Sequence, residues 1–364
     1  MFESDYFDDD FDESEDSFPD FFDTWDTALN EGQNPGYYDV DELCDIVNIY
    51  LSEGEIEKAK QSINYAFILY PENEDLIMEI LILLNDYEMW NDLLIYSEKY
   101  SDFPQTWVDS HKISALLHLG MEEDAFNFFG KAKERYAPDE EGLFIIYATM
   151  AESLFEVDLF DASIDVAEEA IGLLGELPDF LWILLQCYLA LKDRENTLII
   201  AEKIQKKEPL DPETWSRLGN AYKEIGEMEK AIEAFEFEHS LGDISSNDLM
   251  QLIQAYEKNG NIFKALEKLD EYLTLHPESS IVNLMGANYC FMTEDWNRAL
   301  QYADKAISLS PEMGSLYILR SEILLKMGEF RKAILTLEDG LSKTKDSRKS
   351  LLEQIHILRT QYPD

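Results

Sequence analysis

The chain has 364 residues, of which 46% are hydrophobic, and a formal net charge of −47 with a pI near 4.2. Such a charge repels the phosphate backbone of nucleic acids and the anionic leaflet of a membrane, which argues against ordinary binding to either. No secretory signal and no run of 18 apolar residues is present in the sequence. The three widely spaced cysteines, Cys44, Cys187 and Cys290, are typical of free thiols in a reducing cytoplasm.

Residues 1–17 form an acidic tail that consists almost entirely of carboxylates and aromatic rings. Self-repulsion and the small apolar area predict that this tail is disordered. An EF-hand loop that started at Asp8 would need Gly at its sixth position and Glu at its twelfth. The chain has Glu13 and Pro19 there, so we expect no metal site.

Residues 18–39 are predicted to form an amphipathic helix followed by a linker. Large apolar residues recur at helical spacing in its first part: Phe18, Phe21, Phe22, Trp25 and Leu29. Ser17 can cap this helix and Pro19 suits its first turn. We expect the helix to cover the bare apolar edge of the elements at 40–73. Docking in a groove of the same chain and docking on a partner are the alternatives.

A repeat of 34 residues dominates the remaining sequence. Four alanines keep this spacing, namely Ala231, Ala265, Ala299 and Ala333. Each period contains two stretches of about 13 residues with helical character, here called helix A and helix B, joined by a turn that often contains Gly. Extending the period predicts about nine units: 40–73, 74–105, 106–139, 144–177, 178–211, 212–245, 246–279, 280–313 and 314–346. Residues 140–143 are a short insertion. Because one unit cannot bury its apolar face alone, the units are expected to stack into a continuous core.

The clearest unit, PETWSRLGNAYKEIGEMEKAIEAF, resembles the tetratricopeptide repeat (TPR) family. The residues that carry the resemblance are Trp215, Leu218, Gly219, Tyr222, Gly226, Ala231 and Phe235. The resemblance implies an all-α fold, a TPR-type solenoid coiled as a right-handed superhelix over 40–346, with the A helices lining its concave surface. Residues 347–364 are predicted to add a C-terminal capping helix with the apolar stripe Leu351, Leu352, Ile355 and Leu358.

No catalytic, cofactor or metal signature is visible in the sequence. Phosphate-binding Gly-rich loops, H-E-x-x-H, C-x-x-C and G-x-S-x-G are all absent. His111 and His118 lie seven residues apart on one predicted helix, which is too far for one metal ion without other ligands. We therefore expect a protein that is not an enzyme and holds no cofactor. An enzyme whose catalytic groups come together only in the fold is the remaining alternative.

The resemblance also implies that a ligand lies along the A helices. Seven residues are predicted to line this groove: Phe155, Trp182, Gln186, Arg217, Asn220, Gln254 and Asn288. Trp182 could instead pack between adjacent A helices, and Arg217 could instead balance nearby acids. Family members that bind chaperone tails use a clamp of Lys, Asn and Arg side chains for the terminal carboxylate. Only Asn220 matches that clamp; the other four positions hold Ser216, Gln251, Ile281 and Met285. We therefore expect no EEVD-type tail as ligand.

The sequence as a whole predicts a cytoplasmic scaffold or adaptor that binds a protein or peptide partner on the concave TPR surface, with no nucleic acid and no membrane as partner. The alternative is an acidic regulatory or nucleic-acid-mimicking protein that occupies a basic partner. The two differ in salt response, because exposed charges are screened by added salt whereas peptide recognition in a groove is less affected.

Overall fold

The computed structural model describes residues 20–103, 106–242, 244–344 and 347–362. Across these ranges the chain forms helices and no β-strand. It divides into two compact units, a first unit of residues 1–200 and a second unit of residues 201–364. The predicted acidic tail and the first residues of the predicted amphipathic helix, including Ser17 and Phe18, lie outside the described residues.

The repeats are helical hairpins, and they follow the predicted period. The A helices are α2 (Val40–Ser52), α4 (Glu74–Asp86), α6 (Thr106–His118), α8 (Glu140–Glu156), α10 (Pro178–Ala190), α12 (Pro212–Glu224), α14 (Ser246–Lys258), α16 (Ser280–Met292) and α18 (Gly314–Lys326). The B helices are α3 (Ile56–Leu69), α5 (Trp90–Lys99), α7 (Glu122–Tyr136), α9 (Phe160–Leu174), α11 (Arg194–Lys207), α13 (Met228–Leu241), α15 (Ile262–Leu275), α17 (Trp296–Leu309) and α19 (Phe330–Lys343). Two further helices, α1 (Asp20–Asn30) and α20 (Arg348–Gln361), flank these hairpins in the sequence.

Every turn from helix A to helix B contains one residue with a positive φ at the same position of the repeat. Five of these residues are glycines, for example Gly226 with φ of 80°. The other four are Glu88, Asp158, Lys192 and Glu294, with φ between 54° and 62°. A residue in the left-handed backbone conformation lets the chain reverse direction after helix A, and Gly adopts this conformation with the least strain. The shared turn shows that the two predicted units with the weakest sequence pattern, 74–105 and 106–139, have the same hairpin geometry.

Packing between helices A and B follows from small and large residues at fixed positions. Ala231, Ala265, Ala299 and Ala333 are fully buried. The predicted core residues Trp215, Leu218, Tyr222 and Phe235 are buried as well. A Cβ added at Gly219 would lie 2.7 Å from the Phe235 ring, so this pair of helices is too close for a larger residue.

Helix α1 packs on the first repeat. Trp25 is 0% exposed and contacts the rings of Tyr38 and Tyr65 edge-on, with centroids 5.1 and 5.2 Å away. Phe22 is also buried, 5.1 Å from the ring of Tyr50. The prediction that this segment covers the apolar edge of the repeat at 40–73 is therefore confirmed for the described residues of α1.

A polar contact holds the same helix in register. The Oδ1 atom of Asp26 accepts hydrogen bonds from the Tyr50 hydroxyl and from the Lys58 ammonium, each at 2.8 Å. Burial alone would raise the pKa of Asp26, but the bonds from Lys58 and Tyr50 outweigh it and lower that pKa. The aromatic rings supply buried area, and Asp26 fixes which turn of α1 meets α2 and α3.

Two details refine the sequence-based expectation. Residues 140–143, the predicted insertion, form the first turn of α8, so this A helix has 17 residues where α10 and α12 have 13. In α20, Leu351, Ile355 and Leu358 are buried as predicted, but Leu352 is 48% exposed. The buried stripe is narrower than the sequence suggested because α20 packs on a single neighbouring hairpin.

Candidate functional site

The candidate binding surface is the A face, which we define as the side chains at positions 2, 6, 9, 12 and 13 of each repeat. In the second unit, three amides occupy position 9 and lie 34 residues apart in the sequence: Asn220, Gln254 and Asn288. Asn220 and Gln254 are half-buried and Asn288 is exposed. The predicted groove residues Asn220, Gln254 and Asn288 thus share one position on successive A helices.

Hydrogen bonds connect this surface between α12 and α14. The Lys223 ammonium donates to Gln251 Oε1 and lies 3.4 Å from Asn220 Oδ1. The Asn220 amide nitrogen in turn donates to the Ser216 carbonyl oxygen at 3.1 Å. Lys223 is therefore held by neutral amide oxygens rather than by a carboxylate.

The electrostatics of Lys223 are unusual for so acidic a chain. Burial lowers its pKa, and the nearby charge of Lys258 lowers it further. The carboxylates of Asp248 and Glu224 act on this pKa in the opposite direction. An ammonium group that is hydrogen-bonded to amides alone can also attract a carboxylate or a backbone carbonyl oxygen of a bound peptide.

Arg217 has a different environment. It is half-buried, and burial lowers its pKa, while the carboxylates of Glu213, Glu208 and Asp211 act in the opposite direction. This setting is compatible with local charge balance, the alternative interpretation of Arg217.

The first unit contains the other three predicted groove residues. Trp182 is 8% exposed, so little of its ring is available to a ligand, which favours the packing interpretation. Gln186 is half-buried at position 9 of its repeat. Phe155 is half-buried with its ring 5.5 Å from that of Phe160.

The two histidines on α6 make local hydrogen bonds. His111 Nδ1 lies 2.6 Å from the Trp107 carbonyl oxygen, and His118 Nδ1 lies 2.9 Å from the Ser114 carbonyl oxygen. His118 Nε2 lies 3.3 Å from a Glu156 carboxylate oxygen, and the His118 ring stacks on Trp90 with centroids 3.9 Å apart. Burial lowers the pKa of His111 and favours its neutral form. Among the described residues no group of three His, Cys, Asp or Glu side chains is arranged to hold a metal ion.

Two features of this surface were not predicted from the sequence. One is Lys258, and the other is the hydrogen bond from Gln251 Nε2 to Asn247 Oδ1 at 3.5 Å. Lys258 occupies position 13 of its repeat, at the end of α14. The 34-residue period alone would have identified this position as part of the A face. The mutual influence of Lys223 and Lys258 depends on how α12 and α14 pack, which the period does not specify.

Comparisons with known proteins agree with the repeat architecture. A model of the tetratricopeptide repeat matches residues 212–236, and a model of the PPR repeat matches residues 250–274. The chain is 25% identical over 140 residues to Stress-induced-phosphoprotein 1 of Caenorhabditis elegans, a match that covers 38% of this chain and 41% of that protein. The match thus spans about two fifths of the relative's length.

The chain is also similar to solved structures. The C-terminal part of a TPR repeat-containing protein from Cytophaga hutchinsonii is 15% identical, with a TM-score of 0.50 over 67% of this chain and 98% of that chain. A tetratricopeptide repeat protein from Parabacteroides merdae is 16% identical, with a TM-score of 0.40 over 74% and 99% of the two chains. The likeness to the first of these concerns the fold alone. Within the described residues, no helix combines the length and the apolar character needed to cross a membrane.

Proposed function

We propose that this chain, a TPR-type repeat protein, is a non-enzymatic scaffold that binds an extended peptide segment of a protein partner on the A face of its second unit. The observation that carries the proposal is the series Asn220, Gln254 and Asn288, one amide per repeat at the same position. Each primary amide offers two donors and an acceptor, which match the alternating N–H and C=O groups of an extended backbone.

The amides are available for such pairing. Within the described residues, Gln254 and Asn288 make no side-chain hydrogen bond, and both are accessible to solvent. Beside Asn220, Lys223 is bonded only to amide oxygens and can turn toward an incoming carbonyl or carboxylate oxygen. Hydrogen bonds from the amides would supply affinity for the backbone of the bound peptide. The half-buried positions between the amides would select among the side chains of that peptide.

The proposed partner is a protein. The net charge of −47 opposes nucleic-acid binding. We therefore do not propose that the segment at 250–274, which matches the PPR repeat, recognises RNA bases. An EEVD-type tail is not the proposed ligand, because Ile281 and Met285 stand at clamp positions that need charged or amide groups. We place the protein in the cytoplasm, since free thiols at Cys44, Cys187 and Cys290 suit a reducing compartment.

The proposal can be tested by capturing the partner from lysate of the source cells with the full chain, and comparing two double variants. The first is Gln254→Ala with Asn288→Ala, on the A face. The matched control is Gln301→Ala with Asn297→Ala, one Gln and one Asn that are exposed on helix α17 of the same unit. We expect the A-face variant to lose about tenfold of the captured partner at unchanged melting temperature, and the control to bind like wild type. Equal capture by all three proteins would refute the A face as the binding surface.

A further inference from the structure

We propose that helix α16 binds a large apolar side chain of the partner segment, and that an acidic residue about three positions away in that segment meets Lys258 on helix α14. The inference rests on the proposed function, since it concerns the same A face of the second unit. It adds the chemistry of the ligand, which is an internal stretch of a partner protein that combines Leu, Met or Phe with Asp or Glu.

Helix α16 carries apolar side chains at four of its five A-face positions. We call them the α16 stripe: Ile281, Met285, Phe291 and Met292. Ile281 is 62% exposed and Met292 is 61% exposed, while the other two are half-buried. At 3.6 residues per turn, Ile281, Met285 and Met292 fall within an arc of about 40° on the helix surface. The α16 stripe is therefore one continuous apolar surface, which is typical of a binding site.

The packing of the repeat does not require these side chains to be apolar. Helix α16 buries other residues, among them Val282, Ala287, Tyr289 and Cys290. At positions 2, 6, 12 and 13 of the two preceding repeats, helices α12 and α14 hold charged and amide side chains only: Glu213, Arg217, Lys223, Glu224, Asn247, Gln251, Glu257 and Lys258. Because the same fold accepts polar residues there, the exposed apolar residues of α16 indicate a contact with a ligand.

The exposed amide of Asn288 lies within the α16 stripe, four residues before Met292. An amide that pairs with the backbone of an extended peptide holds that backbone close to the helix. Alternate side chains of the peptide then point toward the same surface. Methionine side chains are flexible and polarizable, so Met285 and Met292 can adapt to Leu, Met or Phe.

Lys258 provides the charge complementarity on the neighbouring A helix. Its ammonium group is exposed, forms no ion pair within the described part of the chain, and repels that of Lys223. The adjacent carboxylate of Glu257 accepts a hydrogen bond from the Tyr289 hydroxyl at 2.9 Å. A ligand carboxylate beside Lys258 would supply the missing countercharge.

The spacing of the two ligand groups follows from helix and strand dimensions. Packed helices lie about 8–10 Å apart. An extended peptide advances about 3.3 Å per residue. An acid beside Lys258 and an apolar side chain on α16 would therefore be about three residues apart in the bound segment.

The test selects binders for the full chain from a displayed library of random peptides of about 12 residues, which span roughly 40 Å when extended. Each peptide is flanked by constant sequence on both sides, so that it offers no terminal carboxylate. We expect the enriched sequences to combine Leu, Met or Phe with Asp or Glu about two to four positions away. A selection that yields no binder, or binders without this combination, would overturn the inference.

An enriched peptide is then labelled and measured by fluorescence anisotropy against a stripe variant, Ile281→Ser with Met292→Ser. The matched control is Phe263→Ser with Leu275→Ser, two apolar residues of helix α15 that are 75% and 59% exposed. We expect the stripe variant to bind at least about tenfold more weakly than wild type at unchanged melting temperature, and the control to stay within about twofold. Wild-type affinity of the stripe variant, or equal losses in both variants, would overturn the inference.

Lys258→Gln tests the acidic part of the ligand. This variant should bind the enriched peptide about threefold more weakly. It should bind like wild type to a peptide in which Gln or Asn replaces the acid. Equal losses for the two peptides would contradict a contact between Lys258 and the ligand carboxylate.

The variant Gln254→Ala with Asn288→Ala separates this inference from the proposed function. If it binds the enriched peptide weakly while the stripe variant binds like wild type, the α16 stripe is not a contact and the amide surface remains the binding site. If neither variant loses affinity, the peptide binds elsewhere, and both the inference and the proposed function fail.

Discussion

The two units are built from the same hairpins but have very different surfaces. The first unit, residues 1–200, contains 48 Asp or Glu and nine Lys or Arg, a net charge of −39. The second unit, residues 201–364, contains 28 acids and 20 basic residues, a net charge of −8. On the A helices α12, α14, α16 and α18 the second unit has five acids and five basic residues.

This difference separates what the fold requires from what the surface does. The buried Ala and aromatic residues and the left-handed turn recur in both units, because each hairpin must pack on its neighbours. The A-face positions carry eight acids, three amides and no Lys or Arg in the first unit, and four acids, five amides and four Lys or Arg in the second. A surface that varies while its scaffold repeats is what two binding specificities on one array would need.

The largest expected effect concerns the first unit alone. Trp25→Ala should destabilise repeat 1 by about 3–5 kcal/mol, because the indole is 0% exposed and packs between Tyr38 and Tyr65. Since each repeat contacts only its neighbours, the second unit should keep its stability. Hydrogen exchange followed by mass spectrometry can resolve the two units. Phe263→Ala, at a ring that is 75% exposed, is the control that should change little. Equal protection of α2 and α3 in Trp25→Ala and wild type would contradict the docking of α1.

A smaller effect is expected in the second unit. Ala265→Leu should cost about 1–3 kcal/mol, because Ala265 is fully buried where α15 approaches its partner helix. Chemical denaturation monitored by circular dichroism measures the loss, and Leu275→Ala at an exposed position of the same helix is the control. A neutral result for Ala265→Leu would mean that the close helix contact is not tight in solution.

One buried carboxyl group of the second unit should make its stability depend on pH. Burial raises the pKa of Glu238 to about 8, with help from the neighbouring Asp248 carboxylate. The folded state therefore holds a proton between the ordinary glutamate pKa near 4.5 and about 8 that the unfolded state releases. Stability from this group is complete below about pH 4.5 and falls as pH rises, by about 1.4 kcal/mol per pH unit in that window.

Glu238→Gln removes the titration, so it should flatten the pH dependence of unfolding for the second unit and raise stability at pH 8. Glu233→Gln, on the solvent side of the same helix, is the control. If wild type and Glu238→Gln show the same slope between pH 5 and 8, Glu238 does not hold a proton in the folded protein.

Salt should have the smallest effect, because recognition by the amide surface does not depend on the net charge of the chain. Raising ionic strength from about 0.1 M to about 1 M shortens the screening length from about 10 Å to about 3 Å. Partner capture that depends on Gln254 and Asn288 should change by about twofold or less, as measured by quantified capture. A loss of about tenfold or more would mean that the amide surface binds mainly through charge.

Much of the fold could be predicted because the same helix contacts recur in every 34-residue repeat. Ala265 and its equivalents marked the tight helix pairs, and Gly226 and its equivalents marked the turns, so the hairpins of 40–346 followed from spacing. The amides Asn220, Gln254 and Asn288 could be placed on one helix face for the same reason. The predicted boundaries of the acidic tail and of the linker remain predictions.

Contacts that do not recur with the 34-residue period could not be predicted from the sequence. Glu238 and Asp248 meet only because α13 and α14 pack as they do, and nothing in the sequence distinguishes them from the other carboxylates. The burial of Trp182 depends on its neighbours in space, so the sequence alone leaves its two interpretations open. The exposure of Leu352 likewise depends on the rotation of α20 about its own axis where it packs on the last hairpin.

The most direct test of the account is amide hydrogen exchange of the full chain with and without the captured partner, read out by mass spectrometry. The account predicts slower exchange in α12, α14 and α16, whose A faces carry Asn220, Gln254 and Asn288. Exchange in the B helices α13, α15 and α17 should be the same as in the free protein. Protection confined to these B helices, or uniform protection of the whole second unit, would contradict the account.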